Sequence, residues 1–490
     1  MTAYDEVAYP THPKRTTHPD HLAAMGRIFG MATAAPPTCR VLELGCGDGG
    51  NLIPMALTLP QACFVGLDLA STAVERGVAA AAQLGLTNVD LRAADLCAAG
   101  RELGRFDYII VHGLYSWVPV PVRDRILALA SDLLAPQGIA FVSYNCYPGR
   151  HIRNLFRELM RYHAAHFPQA EQKVAQSRAI IRFLADVAEG DVYRALLREE
   201  AESIAKRAAG AVYHDDLAEI NDAVLFTDFV RHAESHGLQY LSESEYATTH
   251  DSNNALSRME ANVLELEQYL DFVRCRSFRQ TLLCHAGIVL ERPVRAHRLS
   301  GLWFSSMARG AASDQETVYE SPYGGSIRTA HPLTRCILDA LIDAYPSRLD
   351  LDRIQGLAGA ADLSSIREIL LGSFTGGAVE IHSGPAPCAA VAGERPLASS
   401  LARLQAAKGP MLATLTHVNA LAEDDMGRRL VQLLDGTRDR AALLADLGSP
   451  ADAESLEEAL RFLARSSLYP TAASLRPTIA RRCRSASTQS

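Results

Sequence analysis

At 490 residues, the chain is long enough for roughly two to four domains at about 150 residues each. With 48 % hydrophobic and 21 % charged side chains it can bury substantial cores, which excludes a wholly disordered or fibrous protein. A net charge of −8 argues against a protein held mainly by nucleic-acid phosphates or anionic lipid. The ten cysteines form no CxxC pair and are expected to be reduced, buried thiols of a cytoplasmic protein. The acidic N-terminus does not read as a secretory signal, and no apolar run reaches membrane-spanning length, so no membrane insertion is expected.

Residues 1–39 are polar and turn helical at His21–Met31. From Arg40 onward, short apolar runs alternate with amphipathic stretches. Arg40–Leu44, Ala62–Leu67, Val89–Arg92, Phe106–Val111 and Gly138–Tyr144 read as buried strands, with helices near Ser71–Leu84 and Val122–Leu134. Strands alternating with helices predict a parallel sheet with right-handed crossovers. The text is then helical over roughly 151–209. Strand-like runs return at Leu238–Ser242 and Phe278–His285 after a helix at Thr227–Ser235, which predicts an insertion followed by an antiparallel closing pair.

The expected division is an N-terminal cap and cofactor core over 1–149, a helical insertion over 150–226 for substrate or dimer contacts, and closing strands over 227–293. A winged-helix-like unit over 294–384, a linker over 385–409, a second such unit over 410–475 and a disordered tail over 476–490 complete it.

The sharpest local signal is Glu43-Leu44-Gly45-Cys46-Gly47-Asp48-Gly49-Gly50, running from the first strand into a helix. Glycines there let the backbone turn tightly and approach a ligand, and the following helix offers free N–H groups. Asp68 ends the second strand, where a carboxylate accepts hydrogen bonds from ribose hydroxyls. Gly45, Gly47 and Gly50 also satisfy GxGxxG, so a dinucleotide site is the competing reading. Glu43, two residues before the first glycine, suits a ligand with a cationic amino-acid end, and Asp95 after the third strand is placed to meet adenine. Both favour S-adenosylmethionine.

The stretches YDEVAYPTHP, VLELGCGDGGNLIPMA, FVGLDLA, FDYIIVHGLYSWVP and LLAPQGIAFVSYNCYPG resemble the class I methyltransferases that carry a C-terminal methyltransferase regulatory domain. The likeness continues through YHDDL (Tyr213–Leu217), HGLQYLSESE and FRQTLLCH, and fades after about residue 300. That group includes protein-lysine methyltransferases acting on bacterial outer-membrane proteins. The resemblance implies an α/β, Rossmann-like class I methyltransferase sheet of order 3-2-1-4-5-7-6 with a helical insertion, plus mainly helical, winged-helix-like C-terminal domains. It implies a cofactor site of Glu43, Gly45, Gly47, Gly49, Asp68 and Asp95, with Cys46, Asn51, Leu69, Leu96 and His112 beside them and Tyr9 folded over it. It also implies a dimer.

The methyl acceptor must approach opposite the sulfonium sulfur, past the residues that leave the fourth strand: His112, Tyr115 and Trp117 among them. No Asn/Asp-Pro-Pro-Tyr/Phe box follows that strand, which speaks against nucleic-acid and glutamine acceptors. Tyr115 and Trp117 are expected to wall a channel whose aromatic faces hold an ammonium. A lysine amine of pKa near 10.4 is only about one part in a thousand neutral at neutral pH, a deficit of roughly 4 kcal/mol that a desolvated channel reduces. Tyr213 and His214 are expected to reach the pocket as orienting groups or a base. His12, His18 and His21 show no metal-ligand spacing, and no metal site is expected.

The reading is therefore an S-adenosylmethionine-dependent methyltransferase acting on a protein side chain, lysine foremost. A small-molecule O- or N-methyltransferase and a non-catalytic cofactor-binding regulator are the alternatives.

Overall fold

Apolar runs too continuous to face water on either side build the central sheet. In a computed structural model, described for residues 9, 11–249, 256, 262–312, 315–359, 361–448 and 452–471, these runs are β1 (Arg40–Leu44), β2 (Cys63–Asp68), β3 (Val89–Ala93), β4 (Phe106–Val111) and β5 (Leu134–Cys146). The two-residue β6 (Ala223–Val224), β7 (Leu238–Glu243) and β8 (Phe278–His285) complete the sheet. Its order is β3-β2-β1-β4-β5-β8-β7, with β6 against the end of β5. Setting aside β6, this is the expected 3-2-1-4-5-7-6. Pairing is parallel through β5 and antiparallel between β5 and β8 and between β7 and β8.

Alternate residues of each strand feed two cores. Val41, Phe64, Tyr108 and Phe141 pack on one face; Leu42, Val65, Ile109 and Val142 pack on the other. The helices flanking this sheet are α1 (Pro19–Ile28), α2 (Leu52–Thr58), α3 (Ser71–Gln83) and α4 (Val120–Leu133). The insertion is α5 (Gly149–Ala164), α6 (Ala170–Val187) and α7 (Asp191–Lys206), closed around its own small core of Phe156, Met160, Ile181, Leu197 and Ile204.

α8 (Phe226–Ser235) and α9 (Val263–Arg274) precede the closing strands. Asn262 starts α9 with a capping box, its side chain accepting from the N–H of Glu265 while the Glu265 carboxylate accepts from Asn262 N–H. Arg279 of β8 is wholly buried. Its guanidinium pairs with Glu243 at 2.8 Å, Glu267 at 3.0 Å and Asp271 at 2.9 Å, and lies 3.9 Å over the Phe226 ring. One cation thus ties β7, α8, α9 and β8 together.

Beyond residue 294 the helices Pro332–Ala344, Leu351–Ala358 and Leu363–Thr375 accompany a three-stranded sheet of Trp303–Ser305, Leu349–Asp350 and Glu380–His382. A separate meander of Arg309–Ala312, Thr317–Ser321 and Gly325–Thr329 is not foreseen from sequence. Its residues are mostly exposed or half-exposed, so no apolar alternation announces it.

The stretch 385–409, read as a linker, is built into the fold. It contains the helix Ser400–Ala406, capped by Ser399 Oγ, and isolated bridges from Cys388 to Pro470 and from Leu397 to Asp435. Alanine and a serine cap form a helix there despite the flanking proline and glycine. The helices Asp425–Leu433, Arg440–Leu447 and Ala453–Arg465 and the hairpin Met411–Ala413 with Asn419–Leu421 follow. The tail expectation for 476–490 falls outside the described residues.

The segment Thr11–His21 fastens these parts together. Arg15 pairs with Glu245 and, at 2.6 Å, with Glu380. The Asp20 carboxylate meets Arg348 at 3.0 Å and His382 at 2.9 Å, and accepts from the N–H and hydroxyl of Ser383. Among the described cysteines eight are free thiols, while Cys63 is disulfide-bonded, which departs from the expectation of an all-thiol chain. No helix among the described residues is long and apolar enough to cross a membrane.

Candidate active site

The turn that leaves β1 depends on glycine. Gly45, Gly47 and Gly49 have φ of +79°, +54° and +75°, in the left-handed region that L side chains rarely adopt. The N–H groups of Gly45 and Cys46 donate to Leu67 O at 2.8 and 3.2 Å, holding the turn against the end of β2. Thr11 lies across it: a Cβ on Gly47 would stand 2.6 Å from Thr11 Cγ2, and Gly50 N–H donates to Thr11 Oγ1 at 3.1 Å.

Asp68 caps the turn from the neighbouring strand, accepting from Gly47 N–H at 2.7 Å and Ala70 N–H at 2.8 Å. Leu69 beside it is 61 % exposed, a free apolar surface at the strand end. At the end of β3, Asp95 is exposed and accepts from Cys97 N–H at 2.8 Å, while Leu96 is buried. Cys46 is buried with its thiol beneath the turn against Gly66, so it supports the loop from below.

Glu43 is the telling group. It is buried, Oε1 accepts from Asn51 Nδ2 at 2.8 Å, and Oε2 has no partner. Burial pushes its pKa up to about 8, although the Asn51 hydrogen bond works the other way. A buried carboxylate oxygen without a donor fits a ligand that brings a cationic N–H group, as the amino-acid end of S-adenosylmethionine does. A dinucleotide pyrophosphate carries acceptors only and would bring that oxygen no N–H donor.

Asn51, expected beside the cofactor, is itself enclosed. Its Oδ1 accepts from Lys14 N–H at 3.0 Å, from the Thr17 hydroxyl at 3.2 Å and from His417 Nε2 at 2.8 Å. It serves as a strut under Glu43 rather than as an open ligand contact. His417 sits in the turn of the C-terminal hairpin at φ +63°, is 3 % exposed, and also touches the His18 ring at 5.1 Å. No local motif marks it.

His112 follows β4, stacks 6.0 Å from Phe141 and meets the edge of Phe278 at 6.5 Å. Burial, aided by the nearby Lys14 charge, lowers its pKa to about 3, so the imidazole is neutral. Burial also lowers the Lys14 amine, against the attraction of Asp215. Lys14 therefore belongs to this neighbourhood, and its sequence signal is its rarity as one of four lysines.

Tyr115, Ser116 and Trp117 form one 3-10 turn. At three residues per turn, positions two apart point in different directions, so Tyr115 and Trp117 do not share a wall. Tyr115 turns inward, 3 % exposed, against Phe229 and Tyr144, with burial raising its pKa to about 12. The expected paired aromatic wall is thus corrected to Trp117 alone.

Trp117 lines a cleft of about 490 Å³ with Arg161, Lys173, Tyr213, His214 and Glu219 among its neighbours. Tyr213 and His214 lie in a π-helical turn, Val212–Asp216, a widened geometry frequent at functional sites. Buried Asp216 anchors it by pairing with Arg153 and Arg207. Tyr9 meets the His214 ring edge-on at 5.8 Å. The N-terminal strap therefore touches the cleft at Tyr9 and the glycine turn at Thr11.

Comparison with known proteins agrees with this geometry. Residues 41–138 match the family described as methyltransferase domain, 208–285 the predicted methyltransferase regulatory domain, and 394–461 the PKMT C-terminal winged helix domain. The uncharacterized protein RP789 of Rickettsia prowazekii is 36 % identical over 298 residues, 59 % of this chain; the chain spans only 54 % of RP789's own length. The uncharacterized protein RP028 of the same organism is 38 % identical over 234 residues, 47 % of this chain and 94 % of its own. The solved structure of PKMT2 from Rickettsia typhi in complex with AdoHcy is 27 % identical, with a TM-score of 0.82 over 94 % of this chain and 98 % of that one. The chain belongs to this family of S-adenosylmethionine-dependent methyltransferases with a methyltransferase regulatory domain.

Proposed function

We propose that the chain methylates lysine side chains of proteins. The observation that carries this reading is the convergence of Trp117, from the end of β4, with Tyr213 and His214, from the insertion, on one cleft. Arg161 and Glu219 on its border are exposed, so the cleft opens to solvent and admits a side chain still attached to its protein. A closed pocket would favour a small-molecule acceptor instead. The likeness to PKMT2 supports the same class.

Bound at the glycine turn, S-adenosylmethionine supplies an electrophilic methyl group on a sulfonium. Glu43 would face its ammonium, Asp68 its ribose hydroxyls and Asp95 its adenine. The work left to the protein is delivery of a neutral, aligned amine. Arg161 and Lys173 repel an incoming ammonium and, with partial desolvation, lower its pKa. The Trp117 indole steers the stem, Tyr213 orients Nζ, and His214 supplies the imidazole that takes its proton. In this reading the insertion 150–226 makes the substrate contacts, and the predominance of free thiols supports a cytoplasmic setting.

The test is incubation of the purified chain with methyl-labelled cofactor and protein extract from its own source, followed by acid hydrolysis. Label recovered as methyl-lysine supports the proposal; label found only in small molecules overturns it.

A further inference from the structure

Beside the Tyr115 hydroxyl, and outside both the glycine turn and the Trp117 cleft, three side chains converge. His232 lies in the last turn of α8 and His236 is its capping residue, a His-x-x-x-His spacing that puts both rings on one helix face. Asp124 of α4 faces them. Its Oδ1 stands 2.9 Å from His236 Nε2 and 3.4 Å from His232 Nε2, and the three ligand atoms all lie within 4.8 Å of one another.

We propose that Asp124, His232 and His236 bind a divalent transition-metal ion, zinc foremost. Tetrahedral zinc with ligands at about 2.0–2.2 Å places neighbouring donor atoms about 3.3–3.6 Å apart, against 2.9 and 3.4 Å from the carboxylate oxygen to the two rings. The donor set of two imidazoles and one carboxylate is borderline in softness, suits zinc over calcium or magnesium, and leaves a fourth position for water. Asp124 is 61 % exposed and free to part from the rings by the few tenths of an ångström that a metal requires.

Two further features point to a metal rather than to a chance surface pair. The other nitrogen of His232, Nδ1, lies 2.8 Å from the buried Tyr115 hydroxyl, which fixes the ring and leaves Nε2 facing outward, as an outer-shell partner does for a metal ligand. The site also sits at the C-terminus of α8, where the helix dipole favours a cation. The His232 and His236 spacing is visible in the sequence, but the third ligand is not, because Asp124 joins them only through the packing of α4 on α8.

The consequence is local. Tyr115 opens the turn that ends at Trp117, and α4 begins three residues later, so a metal at this point braces both the turn that carries Trp117 and the helix after it. Metal binding itself does not depend on the methyltransferase reading, and its failure would leave that reading standing.

The experiment is calorimetric titration of the full-length, tag-free chain with zinc chloride, paired with thermal melts. Expected are one zinc per chain, a rise in melting temperature with zinc, and at least tenfold weaker binding in both His236→Ala and Asp124→Asn. Asp124→Asn is an exposed substitution and leaves the metal-free melting temperature close to that of the parent, whereas His236, half-buried at the end of α8, is judged by its zinc affinity together with its own metal-free melt. Failure to bind zinc, or binding of equal strength in both variants, overturns the proposal.

Discussion

His417 Nε2 lies 2.8 Å from Asn51 Oδ1, although 366 positions separate the two residues. Asn51 in turn donates to Glu43 at 2.8 Å, so the C-terminal hairpin is wired into the floor of the cofactor site. Removing the imidazole leaves a buried amide short of one donor, worth about 0.5–1.5 kcal/mol. His417→Ala should therefore weaken S-adenosylmethionine binding by roughly 2- to 12-fold in calorimetry, and His417→Gln, which restores an N–H, should recover most of it. Affinity unchanged by His417→Ala would show that the hairpin does not support the site.

Glu43 makes cofactor binding depend on pH. Its folded pKa of about 8 exceeds the ordinary carboxyl value, so between about pH 4.3 and 8 the folded state holds a proton that the unfolded state has lost. Stability without cofactor therefore falls across that window, and Glu43→Gln should be the more stable protein at pH 8. A cationic ligand favours the ionised carboxylate, so binding at pH 7 releases a proton and tightens as pH approaches 8. Titrations in two buffers of different ionisation enthalpy measure this; identical heats in both would exclude it.

Trp117→Ala separates the acceptor cleft from the cofactor site. The indole guides the incoming lysine side chain, so kcat/KM should fall by roughly 2- to 30-fold, the equivalent of about 0.5–2 kcal/mol of contact with the stem and with the positive charge that develops on Nζ as the methyl transfers. Cofactor affinity should stay within about twofold. Loss of cofactor binding with unchanged kcat/KM would instead put Trp117 among the cofactor's contacts.

Arg279→Leu tests the regulatory-domain hub. It leaves Glu243, Glu267 and Asp271 buried without their shared cation, and breaking a buried pair of this kind costs about 3–5 kcal/mol. Denaturant unfolding should register that loss; a change below about 1 kcal/mol would mean that Arg276, 3.2 Å from Asp271, takes over.

Much of the sheet was legible because it is written locally. β1 to β5 are apolar runs bounded by glycine or charge, and the glycine turn follows its strand without a gap. What sequence could not show depends on distant partners or on half-exposed surfaces. Glu43 stands out by spacing, but its strut Asn51 and the His417 behind it meet only through tertiary packing. Tyr115 and Trp117 read as a pair because both are aromatic and near neighbours, whereas the 3-10 turn sends one inward. The 385–409 segment reads as a linker from its prolines and glycines, yet its alanine-rich end becomes a capped helix once it has a domain to pack on.

The most direct test of the whole account is a calorimetric titration of the purified chain with S-adenosylmethionine, run beside Asp68→Ala and beside a nicotinamide dinucleotide. The account predicts one cofactor per chain and no response to the dinucleotide. For Asp68→Ala it predicts affinity lower by about 13- to 160-fold, as loss of charge-assisted contacts of about 1.5–3 kcal/mol requires. A folded chain that ignores S-adenosylmethionine and binds the dinucleotide would contradict it.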